Sequence, residues 1–329
     1  METLKATINT TYAAVISATT ALARFLRTQN PGYILAAVLL ILLTAELGLR
    51  TIESSLSGNV RHITEFKTQF ADLRSTTPEP ETKTLVAVGN SLVNNALNAP
   101  MLAELTRAHV PADVQVIKAT PDATFGWDWW CLIRNQITNH HKHVGEHLLL
   151  GFAWDHLTDQ RPPNASRMGA FFCEPADFAP LIQLGMTDHS KLAEFWVGRF
   201  SRLYAHRETI RSRLLDAFVP EYREYTRALN AAGQETTPQR HHPDYTYNLL
   251  SSKLSLLAAS QINVTIIAMP TVTPYEVDAN LIKTIIDNGA QFIDLRRLPV
   301  NEADHYLDPI HLNDQGAEIF TKYLAEALH

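Results

Sequence analysis

Short apolar runs alternate with stretches of helical periodicity from about residue 82 to residue 329 of this chain. In the stretches between the runs, apolar residues three and four apart predict helices, for example over about 99–108 and 313–328. Strands that alternate with helices are typical of a parallel sheet covered on both faces, so the pattern predicts an α/β fold. The apolar runs that predict its five strands are residues 84–88, 114–117, 147–152, 264–269 and 291–295.

A different pattern, a nearly unbroken apolar run, lies closer to the N-terminus. Residues Tyr33 to Leu49 read YILAAVLLILLTAELGL, and Glu46 is the only charged residue among them. Such a run is slightly shorter than the ~20 residues that cross a bilayer, and core helices of soluble proteins are rarely apolar on every side. We therefore predict a transmembrane anchor over residues 32–50, preceded by a cytoplasmic or interfacial segment at 1–31.

The charges that flank this run favour one orientation weakly. Arg24 and Arg27 precede it, whereas Arg50 and Arg61 follow it. This distribution favours a cytoplasmic N-terminus and an exported body, as in a single-pass protein of a bacterial-type inner membrane with a periplasmic domain. Residues 7–23 leave an alternative open, because the topology would reverse if that segment also crossed the membrane.

Two further regions adjoin the predicted sheet. Residues 51–81 carry scattered apolar side chains and end in a turn-rich sequence, so we predict a helical stalk and linker that precede a domain at 82–329. Within that domain, a long insert at about 157–255 separates the third strand from the fourth. An insert of this size could cap a ligand site or bind a partner, or it could be a structural elaboration.

Composition excludes some classes of function. The net charge of -6 gives no basic surface for nucleic acid. Cys131 and Cys173 have no neighbour at metal-ligand spacing, and two buried thiols or one disulfide remain open as alternatives. The tract His140, His141 and His143 is interpreted as solvated side chains at a helix end. The sequence predicts no metal and no cofactor.

The candidate chemistry begins at the first predicted strand. Residues 85–88 are apolar and lead directly into Gly89-Asn90-Ser91, after which a helical pattern follows. A serine there lies at the carboxyl end of a parallel strand, where ligands bind in α/β sheets. Asn90 and Ser91 could instead simply cap the helix. Far along the chain, Asp308 precedes His311 by three residues, which suits an acid that orients a base for a serine nucleophile.

These two segments together resemble the SGNH, or GDSL-like, hydrolase family. The family's Gly-Asp-Ser block corresponds to Gly89-Asn90-Ser91, and its Asp-x-x-His block corresponds to 308–311, followed by Leu-Asn-x-x-Gly. The resemblance covers about 82–329 and implies a flavodoxin-like three-layer fold with a five-stranded parallel sheet. It also implies that Ser91 is the nucleophile, His311 the base and Asp308 the acid that orients the base.

The blocks that would stabilise the oxyanion depart from the family pattern. Asp122 stands where a glycine N–H is usual, and the turn after the third strand lacks the usual asparagine. By the resemblance we expect an oxyanion hole made of Ser91, Asp122 and Trp154, because a donor is required there. The remaining residues of these turns are predicted to contact substrate, namely Asn90, Asp155 and His156.

An anchor followed by such a domain is similar to proteins that modify envelope polysaccharides by O-acylation. The resemblance implies a serine esterase or O-acyltransferase that acts on acyl esters of a glycan or lipid, with a multi-pass membrane acyltransferase as a potential partner. The alternative is a weak or inactive homologue that binds glycan or such a partner during envelope assembly. A glycan-chain hydrolase with paired carboxylates ranks last, because the ligand side offers no other carboxylate pair.

Overall fold

Five strands form one parallel sheet in the computed structural model, which describes residues 30–75, 82–110, 112–138, 147–226 and 245–328. Their spatial order is β2–β1–β3–β4–β5, the flavodoxin-like arrangement. Every residue of β3 and β4 after the first is buried, and because alternate residues of a strand point to opposite faces, helices must cover both faces. The prediction of a doubly covered parallel sheet is confirmed. The strands are β1 (Thr82–Val88), β2 (Asp113–Ala119), β3 (His147–Phe152), β4 (Asn263–Ala268) and β5 (Gln291–Asp294).

Helices connect the strands and extend the chain on the N-terminal side. In chain order they are α1 (Pro31–Leu56), α2 (Gly58–Ser75), α3 (Ser91–Ala96), α4 (Ala99–Arg107), α5 (Gly126–Leu132), α6 (Ala165–Arg167), α7 (Phe178–Gln183), α8 (His189–Phe200), α9 (Arg202–Ala205), α10 (Arg207–Phe218), α11 (Asn248–Ala259), α12 (Ala279–Asp287), α13 (Glu302–His305) and α14 (Asp314–Ala327). Short π-helical turns follow α5 and α6 at Ile133–Ile137 and Met168–Phe172, and a 3-10 turn spans Pro175–Asp177. The last helix, α14, packs against α3 and α4 and so supports the region after β1.

Helix α1 contains the predicted anchor and is longer than the prediction, at 26 residues. Its apolar side chains are largely exposed, with Leu49 the buried exception. Among the described helices, it is the one whose length and composition suit a membrane span. The chain divides into two compact units between Thr51 and Ile52, within this helix. Most of the predicted N-terminal segment, residues 1–29, lies outside the described residues.

Helix α2 corrects the prediction of a separate stalk over residues 51–81. Its apolar residues recur three and four apart and form one buried face, which joins the core of the domain. The helix packs against β2, and the Lys67 ammonium donates a hydrogen bond to the Phe171 carbonyl at 2.6 Å. Residues 58–75 of the predicted stalk and linker are therefore part of the domain, while residues 76–81 lie outside the described residues. The buried face consists of Val60, Ile63, Phe66 and Phe70.

The insert between β3 and β4 is tied to the sheet region by a disulfide. Cys131 in α5 is bonded to Cys173, so the disulfide alternative is the one the structure adopts. Asp177 lies close to both sulfurs, but its carboxylate is paired with Arg134 at 3.1 Å. The described part of the insert contains α6 to α10. The histidine tract that precedes β3 lies outside the described residues.

Candidate active site

Ser91 is presented by a tight turn between β1 and α3. A side chain at Gly89 would not fit this turn, because a Cβ there would lie 2.4 Å from Val93 Cγ2. Asn90 caps α3, since its side-chain Oδ1 accepts a hydrogen bond from the backbone N–H of Leu92 at 3.0 Å. Gly89 and Asn90 thus stabilise the turn, and Ser91 is half-buried and lines a pocket.

His311 joins Ser91 and Asp308 in one hydrogen-bonded row. The Ser91 Oγ lies 2.8 Å from His311 Nε2, and His311 Nδ1 lies 2.8 Å from Asp308 Oδ2. A carboxylate only accepts hydrogen bonds, so Nδ1 carries the proton and Nε2 is the acceptor that faces the serine hydroxyl. This arrangement allows His311 to take the serine proton as a general base.

The loop that carries His311 is fixed by its own backbone. Partial burial of Asp308 opposes its charged form, but a hydrogen bond from His311 and two from backbone N–H groups outweigh burial and lower the pKa of Asp308. Tyr306 forms an antiparallel bridge with Leu312, and Asn313 then caps α14 through Gly316 N–H at 3.0 Å. The orienting carboxylate is therefore ionised and held in place over the physiological pH range.

The pocket beside Ser91 has a volume of about 750 Å³ and collects residues from distant parts of the chain. It is lined by Ser91 and His311, by several asparagines and aromatic rings, and by a histidine from α2. It therefore combines a serine nucleophile with a polar and aromatic wall. Its lining residues are His62, Asn90, Ser91, Leu92, Asn94, Asn95, Asp122, Ala123, Phe125, Trp154, Asp155, His156, Arg161, Ile310 and His311.

The turn that contains Asp122 is held by side chains that the sequence did not indicate. The Asp122 carbonyl accepts hydrogen bonds from Asn59 Nδ2 at 3.0 Å and from Arg167 Nη2 at 2.6 Å. Arg167 also donates to the carbonyl of Ala123, whose φ of 52° lies in the left-handed region. The Asp122 carboxylate lies 4.0 Å from His62 Nδ1. The helical spacing in α2 could have signalled Asn59 and His62, but no sequence pattern marks Arg167.

The turn after β3 carries three residues predicted for the site. Trp154 is half-buried with a φ of 50°, and its ring centroid lies 5.8 Å from that of Tyr275. Asp155 forms an ion pair with Arg161, a residue that sequence reasoning missed and whose guanidinium stacks over Phe125. His156 is almost fully buried. The structure thus brings all three into the lining of the pocket that holds Ser91.

Asn90 lines the pocket, and its predicted contact with substrate stays a prediction, while its side-chain hydrogen bonds are made within the fold. Its side chain is 4 % exposed, and its Oδ1 accepts the N–H of Leu92. Its Nδ2 faces the Thr124 carbonyl at 3.2 Å and His156 Nδ1 at 3.4 Å, which uses both of its N–H groups. The polar groups of this amide are therefore occupied within the fold, and Asn90 is a positioning residue.

Comparisons with known proteins give similarity of fold only. No protein-family model and no curated protein sequence matches the chain. Among solved structures, it is similar to a GDSL-like lipase from Bacteroides thetaiotaomicron, with 11% identity, a TM-score of 0.40 and coverage of 81% of this chain and 100% of that one. It is also similar to a putative acylhydrolase from Bacteroides fragilis, with 10% identity, a TM-score of 0.39 and coverage of 80% and 94%. Similarity at this level does not assign a reaction.

Proposed function

We propose that this protein is a serine esterase or O-acyltransferase that works through an acyl-serine intermediate. The observation that carries the proposal is the row from Ser91 Oγ to His311 to Asp308, with both hydrogen bonds at 2.8 Å and an open pocket beside the serine. A serine hydroxyl needs such a base, and the base needs an orienting anion. The Gly-Asn-Ser and Asp-x-x-His motifs, which resemble those of SGNH hydrolases, support the same reaction class.

The geometry supports a two-step reaction at an ester. His311 Nε2 takes the proton of Ser91 as Oγ bonds to the ester carbonyl carbon, and the C=O electron pair moves onto oxygen. The tetrahedral adduct collapses, the alcohol leaves with the proton from His311, and Ser91 remains acylated. Water or a second alcohol, deprotonated by His311, then attacks the acyl-serine, Ser91 Oγ leaves with the proton returned by His311, and the acid or a new ester is released.

The proposed substrates are acyl esters on a cell-envelope glycan or lipid. Helix α1 supports attachment to a bilayer through residues 32–50, because its apolar side chains are exposed over a span-length helix. The bond between Cys131 and Cys173 supports an oxidising compartment such as the periplasm, since disulfides persist there. A multi-pass membrane acyltransferase that supplies the acyl group is the proposed partner.

A fluorophosphonate probe tests the proposal on the full chain in detergent. We expect mass spectrometry to find the probe on Ser91, and we expect Ser91→Ala and His311→Ala to abolish that label. Ser255→Ala, which removes an exposed serine on α11, is the matched control and keeps the label. A folded protein that the probe does not modify would favour the alternative function, a binding protein of envelope assembly.

A further inference from the structure

His156 and Asn90 form a buried pair next to the nucleophile that the two-step reaction above does not use. We infer that the His156 Nε2–H is the side-chain donor that stabilises the oxyanion formed at Ser91, and that Asn90 fixes the tautomer this requires. The inference rests on the proposed acyl-serine chemistry and assigns the oxyanion role to a residue other than Trp154, which the sequence had favoured.

The hydrogen bonds at Nδ1 determine which ring nitrogen carries the proton. The backbone N–H of Ala153 points at His156 Nδ1 from 3.3 Å, and this group can only donate. The Asn90 Nδ2 group points at the same atom from 3.4 Å, while the Asn90 oxygen is held by the Leu92 N–H. Nδ1 is therefore an acceptor, and a neutral imidazole must carry its hydrogen on Nε2.

The surroundings keep this imidazole neutral and rigid. Burial, together with the nearby Arg161 guanidinium, lowers the pKa of His156 well below its usual value. The ring packs against Phe125 at 5.0 Å, Trp154 at 5.7 Å and the edge of Trp129 at 6.2 Å between centroids. A neutral donor in a fixed orientation needs little reorganisation when negative charge develops nearby, which is the property an oxyanion hole requires.

His156 Nε2 has no hydrogen-bond partner among the described residues, and His156 lies in the lining of the pocket that holds Ser91. Asn90 is the residue that directly precedes Ser91, so one side chain connects the nucleophile turn with the donor ring. The N–H of His156 is therefore available to an oxygen atom bound beside Ser91.

Kinetics of matched variants test the inference. We compare 4-nitrophenyl acetate turnover and fluorophosphonate labelling of the full chain in detergent for His156→Phe, His156→Gln, Trp154→Phe and the control His147→Gln. His147 is a histidine at the start of β3 that contacts Thr265 and lies outside the pocket lining. We expect His156→Phe to lower kcat by about 10²–10³-fold with little change in KM. His156→Gln, which keeps an N–H near the Nε2 position, should retain much of the rate.

Nitrogen-15 NMR of labelled histidines tests the tautomer directly and decides the matter if His156→Phe does not fold. We expect His156 to carry its proton on Nε2, and this proton to move downfield when a phosphonyl oxygen occupies the oxyanion position on Ser91. Asn90→Asp should disturb this signal, because a carboxylate would face the Nδ1 lone pair.

Three outcomes would overturn the inference, and a fourth would overturn the function on which it rests. A folded His156→Phe variant as fast as the unaltered protein would overturn the inference, and so would a loss confined to Trp154→Phe. An Nδ1–H tautomer would also overturn it. If the unaltered protein itself is not labelled at Ser91, the proposed function fails first.

Discussion

His311 and Asp308 are oriented by groups close to them in sequence, whereas the Asp122 turn depends on side chains from far along the chain. Asp308 accepts hydrogen bonds from the backbone N–H and from Nδ1 of His311, three residues away. On the opposite side, the Asp122 turn is held by Arg167 from the insert and by Asn59 from α2. One side of the pocket is thus a local construction and the other depends on tertiary structure.

This difference predicts different consequences of damage on the two sides. A substitution at Asp308 or His311 removes a chemical group but leaves the loop in place, because the backbone of that loop makes hydrogen bonds of its own. A substitution among the distant side chains that hold the Asp122 turn displaces that turn, and the rate falls because the groups in the pocket are misplaced. Variants chosen on each side can therefore confirm or refute the comparison.

Asp308→Asn is expected to have the largest effect on activity. The amide can keep the hydrogen bonds to the backbone N–H groups of 310 and 311, but it presents an N–H to His311 and favours the wrong tautomer. In a serine triad the corresponding change costs about 10⁴-fold in kcat. Measurement of ester turnover and melting temperature should show a large loss of rate in a protein that remains folded, with only a small change in melting temperature. Asp304→Asn, in the short helix α13 that precedes this loop, is the control, and an equal loss there would contradict the assignment.

Phe66→Ala tests whether α2 belongs to the domain. The Phe66 side chain is 1 % exposed within the core, and its loss should lower the free energy of unfolding by about 3–5 kcal/mol. Gln69→Ala, on the exposed face of the same helix, should change it little. Denaturant titration of both variants measures the difference. Equal stability of the two would restore the idea of a separate stalk.

Features that depend on local sequence could be predicted from the sequence, whereas features that depend on contacts between distant residues could not. The strands were predictable because β3 and β4 are buried on both faces and therefore consist of apolar runs. Ser91 and His311 were predictable because their motifs are short and local. Arg167 could not be found, since its acceptors, two backbone carbonyls and the Asn59 side chain, lie far from it along the chain. The role of α2 was missed because its periodicity shows an apolar face but not what covers that face.

Asp128, in the helix that follows the Asp122 turn, makes the free energy of unfolding depend on pH. Burial raises the pKa of this carboxyl to about 6 from 3.8, although Arg167 opposes the rise. Between these values the folded state binds more protons than the unfolded state, so the free energy of unfolding falls as the pH rises from about 4 to 6. The full loss is about 3 kcal/mol. Asp128→Asn should abolish this dependence in denaturant titrations across that range, whereas the exposed Asp287→Asn should leave it intact.

Arg167→Ala is expected to have a smaller effect, and it separates the two sides most directly. The substitution removes the donors to the carbonyls of Asp122 and Ala123, so the turn is free to shift while the triad keeps its hydrogen bonds. A displacement of about 1 Å at a catalytic group can cost up to 10²-fold, so we expect a loss of about 10- to 100-fold in kcat. Arg199→Ala, in the same insert but bonded to Cys173 and Glu174, is the control. A folded Arg167→Ala enzyme with full activity would mean that the backbone alone holds the turn, and that both sides of the pocket are local constructions.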